Sequence, residues 1–220
     1  MHRVLLTAQP TTERWPGFML RGARSLAAAA LLVLIAASAG CASRPTSLTV
    51  PMVLQQTNDY RPTTLVGHSL KVYVQPIHDL RTVTDRIGEN RENPVVVPIL
   101  PGGATPPVWL ADSLASELRQ SGVNVVSDPA AADRQLSVNL SQFWVQESPD
   151  YHAQISISVQ VLDSGGKVLW GGSAAGDDST FGRSLSVENY QQVMSNAAIK
   201  LVVNLVSNPG FAQAVTSPPG

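Results

Sequence analysis

Ile155-Ser-Ile-Ser-Val-Gln-Val161 alternates apolar and polar residues without a break, the period of a strand with one dry face and one wet face. The segment before it has the same period. Leu136, Val138 and Leu140 alternate with Ser137, Asn139 and Ser141; the phase then slips at Gln142, and Phe143 and Val145 take over. A single bulge near Ser141–Gln142 restores the alternation. After it, Asp163-Ser-Gly-Gly166 reads as a hairpin turn into Lys167-Val-Leu-Trp-Gly171. Three neighbouring strands of this kind form an antiparallel meander, whose dry face must be covered.

Two amphipathic helices can cover it. Leu110, Leu114 and Leu118, with Ala111 and Ala115, put one apolar stripe on a helix over 108–120. Thr105-Pro106 is a start signal and Gly122 a left-handed stop. The second helix begins at Ser186, and Tyr190, Val193, Met194, Ala197, Ala198, Leu201, Val202 and Leu205 recur at three- and four-residue spacing until Asn208-Pro209 ends it. Outside these, Leu70–Pro76 reads as a strand, Gly88 as a turn, and Val95–Leu100 as an edge strand because Pro98 interrupts it. Val123–Val126 is a short strand, and Asp128-Pro129 with three alanines adds a helical turn. The expected fold is α+β: an antiparallel or mixed sheet of four to six strands with two helices packed on one face.

The N-terminus is of a different kind. Residues 1–40 have a basic segment, an apolar run from Leu26 to Ala37 and a small-residue junction, which is the pattern of a cleaved secretory signal. The run is shorter than the ~20 residues that span a bilayer, which argues against a retained transmembrane helix. Met19 offers a compact alternative start to Met1. The chain's single cysteine, Cys41, directly follows Ser38, Ala39 and Gly40. This resembles a bacterial lipobox, in which the cysteine receives diacylglycerol and becomes the first mature residue. The usual Leu three residues before the cysteine is Ser38 here. The alternative is an ordinary secreted protein with an incidental cysteine, but Cys41 stands at the expected junction and has no second cysteine to pair with. Ala42 follows rather than Asp, which by the same resemblance sends the anchor to the outer membrane, facing the periplasm.

The expected organisation is a signal peptide over 1–40, lipidated Cys41 with an extended tether over 41–69, one domain over 70–208, and a flexible tail over 209–220. Removing residues 1–40 leaves 11 Lys and Arg against 15 Asp and Glu, a charge of about −4, so a basic nucleic-acid footprint is absent.

Several local strings resemble the YajG-type family of small outer-membrane lipoproteins. They are the lipobox, a first strand leading into Asp79-Leu-Arg81 and Ile87-Gly88, the Leu110/Leu114/Leu118/Gly122 helix, the long strands and the C-terminal helix. The resemblance implies an envelope lipoprotein with no catalytic residues to carry over. The Pro101–Pro107 loop and the Pro-rich tail depart from it.

Asp79 and Arg81, with Asp85, Arg86, Glu89, Arg91 and Glu92 close behind, read either as a partner-binding edge or as locally paired loop charges worth at most ~1 kcal/mol per exposed pair. Asp79 and Arg81 are retained as candidate partner-binding residues. His68, His78 and His152 lack metal-ligand spacing, so no metal is expected. Asp177-Asp178 reads as a solvated pair in a hairpin loop, or a cation site. No Gly-x-Ser-x-Gly string or phosphate-binding Gly-rich loop is present, so neither an enzyme nor a cofactor beyond the covalent lipid on Cys41 is expected. Phe143, Trp144, Tyr151 and Trp170 read as core and cross-strand packing, or else as a groove for lipid or peptide. The expected function is a lipid-anchored, non-enzymatic protein that binds or scaffolds an envelope component. The alternative is an accessory subunit of an envelope transporter for hydrophobic cargo, which an apolar trough on the sheet's outer face would favour.

Overall fold

The computed structural model describes residues 45–56, 64–65, 70–92 and 94–217. Cys41, Ser38, Ala39, Gly40 and His68 lie outside the described residues.

The elements, in chain order, are β1 (Leu48–Pro51), β2 (Lys71–Val74), β3 (His78–Asp79), β4 (Gly88–Asn90), β5 (Val97–Gly102), α1 (Pro106–Gln120) and β6 (Asn124–Val126). A 3₁₀ turn (Pro129–Ala131) follows, then β7 (Arg134–Glu147), β8 (Asp150–Asp163), β9 (Val168–Phe181), α2 (Val187–Val206) and α3 (Pro209–Thr216). The fold is α+β as expected, but the described residues form a mixed sheet of nine strands rather than four to six, with three helices rather than two, because short segments distant in the chain join the meander's sheet.

The meander β7–β8–β9 is its centre, three antiparallel strands of 14 residues each. The bulge falls between Leu140 and Gln142, where the phase slip predicts it. Gly166 N–H donates to the Asp163 carbonyl, and Asp163 Oδ1 accepts from Gly165 and Lys167, closing the predicted turn. Inward residues of β8 from Tyr151 to Val161 are all buried. Over them lies α2, started by Ser186, whose Oγ accepts from Asn189 N–H. On the far side of β7, β2, β3 and β4 pair in parallel along its length, and β5 and β1 extend from β4.

Four local expectations are corrected. Gly88 is a strand residue, not a turn: the β4 and β7 backbones approach so closely that a Cβ there would lie 1.8 Å from the Val145 carbonyl oxygen. The strand containing Pro98 is not an edge, because β5 has β4 on one side and β1 on the other. The 41–69 tether yields residues 48–56 to the domain. Val50 is fully buried, Gln191 Nε2 donates to the Pro51 carbonyl and Ser195 Oγ accepts from Gln55 N–H.

The 209–220 tail is replaced over 209–216 by α3. Asn208 caps it by accepting from Gly210 and Phe211 N–H, and fully buried Phe211 meets Trp170 edge-to-face at 5.5 Å. Arg134, itself buried, donates to the carbonyls of Ala214 (3.0 Å) and Ser217 (2.8 Å) at its C-terminal end. A cation at that end complements the helix dipole and satisfies orphan carbonyls.

One buried acid lies in the apolar stripe of α1. Glu117 accepts from Gln120 Nε2 at 3.0 Å and is 2 % exposed; burial pushes its carboxyl above the ordinary range. A raised carboxyl contributes stability that is present below its unfolded value, near 4.5, and is lost as pH rises through the folded one. Glu117→Gln should therefore raise the melting midpoint at pH 7 by roughly 2–4 °C, the equivalent of about 1 kcal/mol, with little gain at pH 4. Thermal melts at the two pH values check this, and destabilisation at pH 7 would contradict it.

Candidate functional site

The wet face of the meander is built from the polar half of each alternating strand. Ser137, Asn139, Trp144 and Gln146 on β7 lie opposite Gln160, Ser158, Gln154 and His152 on β8. The next column, on β9, brings Ser173, Asp177 and Ser179 beside Ser158, Gln154 and His152. The bulge decides which aromatic faces out. Leu140, Phe143 and Val145 point inward, so Trp144 points outward and is half-buried.

Trp144 is the wall between two concavities. The larger, about 470 Å³, lies toward the β7–β8 turn and is lined by Trp144, Gln146, Ser148, Asp150, His152 and Gln154, with Ser179 from β9. The smaller, about 200 Å³, is lined by Arg81, Thr82 and Val83 from the loop after β3, and by Ser141, Gln142, Phe143 and Trp144. Gln142 Nε2 donates to Gln154 Oε1, tying the two grooves together across β7 and β8. Among the described residues, the side chains of Gln146, Ser148, Asp150, His152 and Ser179 have no hydrogen-bond partner within the chain. Their donors and acceptors are free for a ligand.

The predicted pair Asp79 and Arg81 is brought together. Arg81 Nε donates to Asp79 Oδ1 at 2.9 Å and Nη2 to Oδ2 at 2.8 Å, a two-pronged pair with the Arg81 side chain buried. The Arg81 hydrogen bond holds the Asp79 carboxyl below its ordinary value. The pair fixes the loop that walls the smaller groove, and Arg81 lines that groove.

Most of the neighbouring charges are paired, locally at Glu89 and with a residue beyond β9 at Glu92. Glu89 takes Arg86 (3.1 Å) and Arg91 (2.7 Å), and Glu92 takes Arg183 (3.5 Å). Asp177 and Asp178 are in β9 rather than in a loop. Asp178 points inward to Lys200 (2.7 Å) and Asn196 (2.8 Å), an internal use that replaces the cation reading. Among the described residues no group of His, Cys, Asp and Glu could hold a metal ion.

Of the four aromatics singled out from sequence, Phe143 and Tyr151 are core, Trp170 covers Phe211, and Trp144 lines the grooves. Sequence reasoning did not single out Trp109, which is buried and meets Phe143 edge-to-face at 5.6 Å. It also missed the amides around Trp144. The predicted bulge contained the needed signal, because it turns Trp144 outward once Phe143 is placed inward.

The described residues thus form an α+β domain in which three helices cover a mixed sheet, and the exposed face of the meander carries a polar groove around one tryptophan. No protein-family model matches the chain, and no curated protein matches it. Solved structures with similar folds include protein XCC0632 from Xanthomonas campestris, of the family DUF330. It is 13 % identical with a TM-score of 0.49, over 76 % of this chain and 93 % of that one. Lipoprotein GNA1162 from Neisseria meningitidis is also 13 % identical, with a TM-score of 0.34 over 50 % and 84 %. The PelC dodecamer from Paraburkholderia phytofirmans is 18 % identical, with a TM-score of 0.37 over 62 % and 94 %. Among the described residues, no helix is long and apolar enough to cross a membrane.

Proposed function

We propose that this chain is a lipid-anchored, non-enzymatic envelope protein that binds or scaffolds another envelope component through the outer face of its sheet. The anchor is Cys41, after cleavage behind Ser38-Ala39-Gly40, and the site of action is the periplasmic side of the outer membrane. The lipobox pattern and the resemblance to YajG-type lipoproteins support the address.

The observation that carries the binding role is the chemistry of the wet face. Its groove is walled by Ser, Gln, His and Asp side chains around one tryptophan. A carrier of hydrophobic cargo calls for an apolar trough there, so binding a polar component is the better-supported reading. Arg81, held by Asp79, serves as rim of the smaller groove.

Cys41→Ser tests the anchor. Wild type should incorporate labelled palmitate and sediment with membranes, since the acyl chains of a lipidated cysteine contribute ~0.8 kcal/mol per buried CH₂. The variant should lose the label and move to the soluble fraction. Wild type that takes no label, with a variant that still sediments, would refute the lipoprotein reading.

A further inference from the structure

We propose that the two grooves flanking Trp144 form one binding site for a neutral oligosaccharide, a ligand class that rests on, and sharpens, the reading of the outer face as a polar binding surface. Beside the larger groove, Val145–Glu147 of β7 lie between β8 and β4, and β8 lies between β7 and β9 along its length. The backbone groups of those stretches are used within the sheet, so an extended peptide cannot add as a strand between them. Recognition falls to side chains.

Those side chains are an array of donors and acceptors, most of them neutral. Neighbouring strands are ~4.8 Å apart and successive outward residues on one strand ~6.6 Å apart, so Gln146, His152 and Ser179 form one row and Trp144, Gln154 and Asp177 the next. Such a grid matches the rim of hydroxyls around a sugar ring. The indole face of Trp144 supplies the flat apolar surface on which the C–H face of a pyranose lies, with the π-electron face toward the ring hydrogens. The 470 Å³ groove has the size of a small-molecule site. It carries neither Lys nor Arg in its lining, and Arg81 in the smaller groove is already held by both carboxylate oxygens of Asp79, so a phosphate finds no uncommitted counter-charge. A fatty chain finds one apolar wall among polar side chains. A second groove across Trp144 lets a chain of sugars pass over the indole, one unit on each side, so an oligomer should bind better than a monosaccharide.

The test uses the purified full-length chain in a sugar-free detergent, titrated with neutral tetrasaccharides of glucose, mannose, galactose and N-acetylglucosamine, and with oleate. Calorimetry and tryptophan fluorescence are the readouts. At least one tetrasaccharide should bind with a Kd of about 1 mM or tighter, and roughly tenfold more tightly than its monosaccharide. Trp144→Ala should weaken binding about tenfold or more and Trp144→Phe only a few-fold, while His152→Ala and Gln146→Ala, which leave the aromatic wall intact, each cost a few-fold.

The idea fails if no tetrasaccharide binds, or if oleate alone binds. It fails equally if Trp144→Ala, His152→Ala and Gln146→Ala all bind like wild type. Palmitate labelling of the same preparation separates the two readings: a labelled chain that binds no sugar retains the envelope assignment and loses this ligand.

Discussion

Gly88→Ala should lower the melting midpoint by roughly 8–15 °C, from a loss of about 3–5 kcal/mol. The methyl would sit 1.8 Å from the Val145 carbonyl oxygen and 2.7 Å from Val145 Cγ1. The nearest of these is backbone, so a rotamer change cannot relieve it. Moving β4 away is equally costly. Val145 N–H donates to the Ile87 carbonyl at 2.9 Å, and Ile87 N–H donates to the Ile99 carbonyl at 2.9 Å. Residues 87–90 are therefore the joint through which β5 and β1 hang on the meander. Gly103→Ala is the matched control: its φ of +84° is unfavourable for alanine, but a Cβ there meets nothing within 4 Å, so the cost should be about 1 kcal/mol. Thermal melts of both variants check the contrast, and a Gly88→Ala midpoint within 3 °C of wild type, a shift of about 1 kcal/mol or less, would refute it.

The second large effect is expected at Tyr190. Its hydroxyl donates to Glu147 Oε2 at 2.9 Å, and both residues are fully buried. Glu147 Oε1 accepts from Leu185 N–H at 3.3 Å, at a residue held with φ of +50°. Tyr151 meets Tyr190 edge-to-face at 4.8 Å, and its own hydroxyl accepts from Ser186 N–H at 2.8 Å. This cluster ties the end of β7 to the start of α2.

Tyr190→Phe removes a donor from a buried carboxyl group and should cost about 1.5–3 kcal/mol. Combined with Glu147→Ala, it should show non-additivity of about 1 kcal/mol or more. Burial first, and then Glu147, push the Tyr190 hydroxyl far above its usual 10.0. A raised group contributes stability that is present below the unfolded value and is lost as pH rises beyond it. Wild type should therefore lose stability above pH 10 more steeply than Tyr190→Phe, although the variant is weaker at pH 7. Denaturant titrations at pH 7, 10 and 11 give both quantities. Parallel pH profiles would exclude the ionisation argument.

Much of the framework is legible in sequence because its signals are local. The β8 alternation, the Asp163–Gly166 turn, the bulge at Ser141–Gln142 and the stripes of α1 and α2 each depend on residues within a few positions of one another. β4 is three residues long and includes Gly88, Glu89 and Asn90, with no apolar alternation to mark it. Its strand character comes from β5 and β7, distant in the chain. Leu48–Pro51 is too short to have a measurable period and is a strand because β5 receives it. The C-terminal helix looks like a Pro-rich tail until Phe211 meets Trp170 and Arg134 reaches the carbonyls of Ala214 and Ser217.

The site divides in the same way. Alternation and one bulge are enough to orient Trp144 outward, because a one-residue slip exchanges the two faces of a strand. That Arg81 lies on one side of it and Ser179 on the other follows from β3 and β9 flanking the β7–β8 pair, a matter of strand order. By itself, then, the sequence determines the periodic elements and the outward tryptophan, and it is the source of the proposed address at Cys41. The tertiary structure alone decides which short segments complete the sheet and which polar side chains surround that tryptophan. The physical reason is that periodicity records burial along one element, whereas pairing between elements is settled by contacts that no local pattern encodes.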